Sequence, residues 1–206
     1  MSKRLYFYLV DYFSTNPERY NIIHIVLLFG LPYSKVLNRL HFSKGERILD
    51  LGCGPSQILE KLPNDIEYVG VDQNEKHLMY AAKKYKGRNC TFKNSRIQDL
   101  ELNGHNAFQK VFMLGFLHHL DDSTAKELLR FAKVLCKGQL VTFDPVFTRL
   151  HFFANLLGRL DQGRFVRKRN QYEQIVSENF TIKESFYLPS PSRLHLFLVT
   201  ISEPKF

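Results

Sequence analysis

The residues best suited to binding chemistry lie where an apolar stretch, Arg47 to Leu51, runs into two glycines. Asp50 supplies a carboxylate near the end of the stretch, and Gly52 and Gly54 follow it. The stretch predicts a strand, and a helix is predicted from Ser56 to Leu62. Glycine has no Cβ to hold a ligand off the backbone, and a helix start offers unpaired N–H groups. The junction therefore predicts a site where a nucleotide-like ligand touches the main chain.

A second carboxylate follows a second apolar stretch. Glu67 to Val71 predicts a strand that ends at Asp72, eighteen residues after Gly54. A carboxylate in that position can accept hydrogen bonds from both hydroxyls of a ribose. A dinucleotide fingerprint would need a third glycine at position 57, where this chain has Gln57. Without that glycine a pyrophosphate cannot approach, so the pattern favours an adenosine-containing cofactor other than NAD.

Strands and helices are predicted to alternate from about residue 45 onward. Alternation of this kind indicates a mainly parallel sheet with helices on both faces. The last two strands are joined by a short Pro-Ser linker, so they are expected to pair antiparallel. The predicted strands are Arg47–Leu51, Glu67–Val71, Cys90–Lys93, Val111–Leu114, Gln139–Phe143, Thr181–Leu188 and Leu194–Ser202, and the helices after the first are Glu75–Tyr85, Ser123–Cys136 and Asn170–Asn179.

Capping signals mark several helix ends. Thr124 and Glu127 predict a capping box at the start of the helix from Ser123, and Gly138 predicts a left-handed stop at its end. Ahead of the first strand, Asn16 predicts one helix start, and Pro32 predicts another helix that runs to about His41. These N-terminal helices carry apolar stripes and are expected to cover part of the molecule.

The glycine junction resembles motif I of the class I methyltransferases that use S-adenosylmethionine, and Asp72 falls where that family has its ribose-binding acid. The resemblance extends from about Gly45 to Glu203. It implies a Rossmann-like, doubly wound α/β fold with a mainly parallel seven-stranded sheet, an antiparallel C-terminal hairpin and an N-terminal helical cap. It also implies S-adenosyl-L-methionine as cofactor, held by Asp50, Gly52, Cys53, Gly54, Asp72, Gln73, Ile97 and Leu114.

The resemblance implies individual roles for these residues. Asp50 would face the methionine amine of the cofactor, although it could instead cap the turn. Asp72 would bind the ribose, although it could instead cap the next helix. Gln73 would support the ribose or line the adenine pocket, and Ile97 would pack on the purine. Two departures from the family stand out: Arg96 occupies the position of an adenine-binding acid, and Ser56 replaces a third glycine that many members carry.

Two adjacent histidines follow the fourth predicted strand, at the edge where open α/β folds bind ligands. Methylation of oxygen or nitrogen requires removal of a proton, and histidine, with an ordinary pKa of about 6.5, suits that step at neutral pH. His119 is the preferred general base and His118 the second choice. Either histidine could instead cap or pack against the next helix. Asp144, after the fifth strand, could orient a histidine or bind a substrate hydroxyl.

The expected reaction is methyl transfer from S-adenosylmethionine to oxygen or nitrogen of a small acceptor. The basic run Gly163–Arg169 either grips a phosphate or is a solvated helix start. Together with Thr142–Phe147, the segment Gly163–Arg167 resembles a bacterial methyltransferase group often encoded among polysaccharide-assembly genes, which favours a sugar or lipid-linked acceptor. The alternative function is a non-catalytic module that docks RNA, a membrane or a partner. Tyr80 and Lys84 satisfy a dehydrogenase Y-x-x-x-K pattern, but they come too early in the chain for it.

The composition of the chain limits its number of domains and argues against disulfide, metal and membrane-spanning features. The chain has 206 residues, of which 44% are hydrophobic, and this predicts one domain with a helical cap (1–44), a cofactor-binding core (45–145) and substrate-side helices with the hairpin (146–206). Three cysteines without a C-x-x-C pair argue against a disulfide framework and against a metal site, and they fit the cytoplasm. The longest apolar run, Ile22 to Tyr33, is shorter than the roughly 20 residues of a spanning helix.

The net charge of +9 is concentrated on the flanks of the predicted core. A basic excess attracts phosphate-bearing partners or an anionic membrane surface, although it can also serve solubility alone. No segment resembles an RNA-recognition module, so a nucleic-acid partner is not expected.

Overall fold

Eight strands form a sheet in the computed structural model, which describes residues 31–95, 107–147, 165–193 and 195–205. The strands follow the order β3-β2-β1-β4-β5-β8-β7, and β6 pairs with β5 off this path. Strands β1 to β5 run parallel, whereas β8 is antiparallel to both β5 and β7. Their bounds are β1 Arg47–Leu51, β2 Glu67–Asp72, β3 Cys90–Asn94, β4 Phe108–Leu114, β5 Cys136–Phe147, β6 Arg167–Lys168, β7 Phe180–Pro189 and β8 Leu196–Pro204.

Helices cover both faces of this sheet. They are α1 Tyr33–Leu37, α2 Glu75–Lys84, α3 Asp122–Leu135 and α4 Arg169–Ser177, with two 3₁₀ turns at Gln57–Glu60 and Leu117–His119. Side chains alternate along β1, so Leu49 packs in one core with α3 and α4 while Ile48 packs in the other with α1 and the first 3₁₀ turn. Within the described ranges no helix is long and apolar enough to cross a bilayer.

The predicted fold class is confirmed: the sheet is mainly parallel, doubly wound and ends in an antiparallel pair of strands. Strand order reverses at β1, which lies between β2 and β4. Open α/β sheets bind ligands in the crevice at the carboxyl ends of the strands beside such a reversal. The two acids and the glycines predicted from the sequence lie at this crevice.

Three local predictions were wrong. The helix expected from Ser56 to Leu62 is only a 3₁₀ turn, Gln57–Glu60. The cap of α3 is Asp121, whose Oδ1 accepts from the Thr124 N–H at 2.8 Å, and not the expected capping box of Thr124 and Glu127. Gly138 is no left-handed stop, because β5 begins at Cys136 directly after α3.

The reason for glycine at 138 is a close approach of two strands. A Cβ built there would lie 2.6 Å from the backbone oxygen of Gln109 on β4. The helix predicted from Pro32 is also shorter than expected and ends at Leu37. The helix start at Asn16 and the residues Arg96 and Ile97 lie outside the described residues.

Candidate functional site

Asp50 is a buried carboxylate with one satisfied oxygen and one unsatisfied oxygen. Its side chain is only 2% exposed, and its Oδ2 accepts a hydrogen bond of 2.6 Å from the hydroxyl of Tyr68 on β2. Its Oδ1 is buried with no hydrogen-bond partner in the described part of the chain. An unpaired buried carboxylate oxygen is costly unless something cationic or hydrogen-bonding meets it. This oxygen can therefore accept a hydrogen bond from a cationic or neutral donor of a ligand.

The charge state of Asp50 reflects the same burial. Loss of hydration raises the pKa of the Asp50 carboxyl to about 7. The hydrogen bond from Tyr68 opposes that rise, and the negative charge of Asp72 adds to it. Near neutral pH the neutral and charged forms of Asp50 are therefore close in free energy, and a nearby positive charge favours the charged form.

The two glycines of the loop have different neighbours. Gly52 has a φ of +75°, and a Cβ built on it would lie 2.3 Å from Cδ2 of Phe116, so glycine is required there by the aromatic ring. Gly54 has a φ of +51°, and in the described residues a Cβ there would meet only Nδ1 of His77, at 3.8 Å. The loop is therefore open to a ligand at Gly54, whereas the close neighbour of Gly52 is Phe116.

Cys53, between these glycines, packs on β2. A Cβ built on Gly70 would lie 2.8 Å from the Cys53 sulfur, so this glycine makes room for the thiol. Burial raises the pKa of the Cys53 thiol well above its ordinary value. The cysteine is a neutral packing residue beside the ligand-facing loop.

The Asp72 carboxylate accepts hydrogen bonds from both the glycine loop after β1 and the turn before α2. Its Oδ2 accepts from the Gly54 N–H at 2.8 Å, and its Oδ1 accepts from the Asn74 N–H at 2.8 Å. The cap of α2 is Asn74, which accepts from the N–H groups of Lys76 and His77. Each oxygen of the half-buried Asp72 carboxylate can accept further hydrogen bonds. Asp72 is thus held in a fixed orientation and still has lone pairs that can accept hydrogen bonds from a ligand.

A cavity of about 110 Å³ lies between the end of β2 and α3. Gln73, directly after Asp72, lines one side, and Phe116 and Leu120 line another. Thr124 and Phe131 of α3 complete the wall together with neighbouring residues of the same helix. The cavity therefore begins at Phe116 and at Gln73, the residue that follows Asp72. Leu114, also predicted as a cofactor contact, is the half-buried last residue of β4.

Asp144 on β5 orients His118. The Oδ1 of this carboxylate lies 2.8 Å from Nδ1 of His118 and accepts the backbone N–H of the same residue at 3.1 Å. Donation from Nδ1 leaves Nε2 as the basic nitrogen of a neutral ring. Cε1 of His118 is 3.9 Å from a Cβ built on Gly115, at the end of β4. His119 is exposed, and its ring lies 4.1 Å from the His118 ring, measured between centroids.

Arg167 holds the segment that carries both histidines. The guanidinium donates to the carbonyl oxygens of Leu117 at 2.9 Å and Leu120 at 2.6 Å, and it pairs with Asp122 at 2.7 Å. The Phe165 N–H adds a bond to the His118 carbonyl at 3.0 Å. Arg167 is only 5% exposed. Arg167 itself is therefore neither a phosphate grip nor solvent-exposed, although α4 does begin within the basic run, at Arg169 after the exposed Lys168.

Replacing Arg167 by methionine is expected to lower the free energy of unfolding by about 2 to 4 kcal/mol, because the buried carbonyl of Leu117 and the part-buried carbonyls of Leu120 and Phe165 lose a donor. Urea unfolding followed by circular dichroism measures the change. Arg130→Met, at an exposed position of α3, is the matched control and should stay within about 0.5 kcal/mol of the parent. Equal stability of the two variants would contradict the bracing role of Arg167.

Comparisons with known proteins agree with this geometry. Residues 48–138 match the family model described as a methyltransferase domain. The fold resembles that of an S-adenosylmethionine-dependent methyltransferase from Aquifex aeolicus, with a TM-score of 0.69 and 16% identity over 92% of this chain and 99% of that chain. A protein from Pyrococcus horikoshii gives a TM-score of 0.68 and 19% identity over 100% of both chains. No curated protein sequence matches the chain.

The sheet order, the glycine loop after β1 and the acid after β2 define a class I methyltransferase fold. At such low identities the structural neighbours show the fold alone, whereas the family model covers the strands and loops that form the crevice. The chain therefore has the fold of the class I methyltransferases, and its residues 48–138 are similar to methyltransferase domains.

Proposed function

We propose that the protein transfers the methyl group of S-adenosylmethionine to an oxygen or nitrogen of a small acceptor, with His118 as general base. The observation that carries the cofactor assignment is the buried, unpartnered Oδ1 of Asp50 beside the open backbone of Gly54. The donor set fits this cofactor: a carboxylate for its ammonium group, a second carboxylate for its ribose and a cavity for its base. When bound, the cofactor supplies an electrophilic methyl group.

Each part of the cofactor has a proposed partner. Asp50 receives the ammonium group through Oδ1, and Asp72 receives the ribose hydroxyls through its remaining lone pairs. The adenine enters the cavity of about 110 Å³ that Gln73 and Phe116 line. Ile97 is proposed to pack on the purine, and Leu114 to lie beside the cofactor where β4 ends.

The catalytic contribution of the protein is placement and proton removal. Holding the acceptor atom in line with the methyl group supplies several kcal/mol of the barrier reduction, on the order of what well-oriented reactants gain. Nε2 of His118 accepts the proton of the acceptor, and Asp144 fixes the ring tautomer and stabilises the imidazolium that forms. His118 is preferred to His119 here because the bond to Asp144 is made by His118.

The acceptor is proposed to be a sugar or a lipid-linked intermediate. Two features support this: the resemblance of Thr142–Phe147 and Gly163–Arg167 to methyltransferases of polysaccharide assembly, and the net charge of +9. An anionic acceptor would be drawn to a basic protein by long-range attraction. Arg167 takes no part in this, because its guanidinium is occupied by the histidine segment.

The experiment that tests the proposal is transfer of a radiolabelled methyl group from S-adenosylmethionine into a cell extract. The extract is separated into lipid, small-sugar, protein and nucleic-acid fractions, and extract without the protein and extract with the weakly binding variant Asp50→Asn serve as controls. Label in the lipid or sugar fraction that depends on the protein supports the proposed acceptor. Label confined to protein or nucleic acid contradicts the acceptor class, and tight cofactor binding with no transfer to any fraction contradicts catalysis.

A further inference from the structure

Three buried polar side chains from separate elements form a chain of hydrogen bonds behind the glycine loop. They are Asp50 of β1, Tyr68 of β2 and Ser56 of the loop before the first 3₁₀ turn. The Tyr68 hydroxyl lies 2.6 Å from Asp50 Oδ2 and 3.2 Å from the Ser56 hydroxyl. Tyr68 and Ser56 are both 0% exposed. Neither side chain is exposed to solvent, so its polar atoms need hydrogen-bond partners inside the protein.

The direction of these bonds follows from counting hydrogens. A phenol has one hydrogen to donate, and the shorter contact, to the carboxylate, takes it. The Tyr68 oxygen is then left as an acceptor, so the Ser56 hydroxyl donates to it across the 3.2 Å contact. The chain therefore runs from Ser56 through Tyr68 to Asp50, and every donor points toward the carboxylate.

Ser56 itself adopts an uncommon backbone conformation for this role. Its φ of +55° lies in the left-handed region, which favours glycine. A glycine at this position would remove the strain but would also remove the hydroxyl that bonds to Tyr68. At position 56, where many members of the family carry glycine, this chain therefore has a serine whose hydroxyl bonds to Tyr68 and so supports Asp50.

We propose that Tyr68, supported by Ser56, is a positioning residue that directs Oδ1 of Asp50 toward the ammonium group of the cofactor and stabilises the negative charge of that carboxylate. The inference deepens the proposed function, because it requires the cofactor to bind at Asp50. Tyr68 engages Oδ2 of the carboxylate, whereas Oδ1 has no partner among the described residues, so Oδ1 is the oxygen offered to the ligand.

The consequence is a proton linkage. The titratable groups that act on Asp50 are Tyr68 and Asp72 from β2, and Cys53 from the loop is coupled to the same carboxylate. Among the described groups that act on Asp50, Tyr68 is the one that favours the charged form, because its hydroxyl donates to the carboxylate. Loss of that bond raises the pKa of Asp50, so cofactor binding, which needs the charged form, shifts to higher pH.

The test is calorimetric titration of the full chain with S-adenosylhomocysteine between about pH 5.5 and 8.5. Tyr68→Phe is expected to weaken binding by about tenfold near pH 7, the equivalent of one charged hydrogen bond. The loss should shrink toward the alkaline end of the range. Ser56→Ala should shift the pH profile in the same direction by a smaller amount. Tyr85→Phe, at another buried tyrosine hydroxyl, should leave both affinity and profile unchanged.

The outcomes separate this inference from the proposed function. Tyr68→Phe and Ser56→Ala variants that bind as tightly as the parent, or that are weakened by one constant factor at every pH, would overturn the positioning role. A parent protein that binds no S-adenosylhomocysteine at any pH would instead overturn the proposed function. If Tyr68→Phe fails to fold, the Ser56→Ala profile decides, since that change only removes one hydroxyl.

Discussion

Replacing His118 by alanine is expected to lower turnover by about 10²- to 10⁴-fold, the usual contribution of a general base. The imidazole is the basic group that Asp144 orients, through a contact of 2.8 Å between Oδ1 and Nδ1. The measurement is the initial rate with saturating S-adenosylmethionine and saturating acceptor. The backbone N–H of residue 118 keeps its hydrogen bond to Asp144 in the variant. The loop therefore retains one of the two hydrogen bonds that join residue 118 to Asp144.

Two further measurements distinguish catalysis from loop bracing. The rate of the parent should fall as the pH drops through the titration of the base, and His118→Ala should lose that dependence. His119→Ala, the adjacent matched control, should keep a turnover within a few-fold of the parent. Full turnover in His118→Ala, or a loss confined to His119→Ala, would contradict the assignment of His118 as the base.

Replacing Asp50 by asparagine is expected to weaken cofactor binding by about 10- to 100-fold, because a charge-assisted hydrogen bond to the ammonium group is lost. The same change should stabilise the protein without cofactor at alkaline pH. The folded protein raises the pKa of this carboxyl to about 7, whereas the unfolded value is about 3.9. Folded Asp50 therefore binds more protons than unfolded Asp50 between these two values.

The sign of the stability change follows from that difference. The contribution of Asp50 to the free energy of unfolding is fully present below about pH 4 and is lost as the pH rises to about 7. Asparagine does not titrate, so the stability of Asp50→Asn relative to the parent should increase by about 2 to 3 kcal/mol between about pH 5 and 8. Urea unfolding at both pH values measures it. A variant that binds cofactor normally, or whose relative stability does not change with pH, would contradict the buried-carboxylate account.

The sequence predicted strand boundaries well where an apolar run is followed by polar residues and a turn. β1 begins and ends where it was predicted, and β2 extends one residue further, to Asp72, because both are apolar runs ended by polar residues and turns. The C-terminal pair of strands follows from a linker too short for a crossover helix. Prediction failed where a feature depends on a residue far away in the sequence. Gly138 is an example, because glycine is needed there to avoid a clash with the backbone of β4.

The same limit applies to the candidate site. Two adjacent histidines look alike in a sequence, and only the fold shows that Asp144 bonds to His118. Arg167 lies in a basic run that is typical of a surface, yet its partners are carbonyl groups nearly fifty residues earlier in the chain. Tyr68 and Phe116 were missed because an aromatic residue in or after a strand normally indicates core. For Tyr68 the available signal was a tyrosine on the strand beside Asp50, since a buried hydroxyl needs a polar partner.

The central claim is that the cofactor binds in the crevice with its ammonium group on Asp50 and its ribose on Asp72. The most direct measurement is a crystal structure of the protein with S-adenosylhomocysteine. We expect the amine nitrogen within hydrogen-bond distance of Asp50 Oδ1, the ribose hydroxyls on the Asp72 carboxylate and the adenine beside Gln73. A ligand bound elsewhere, or a bound ligand that leaves Asp50 Oδ1 unpaired, would contradict the account.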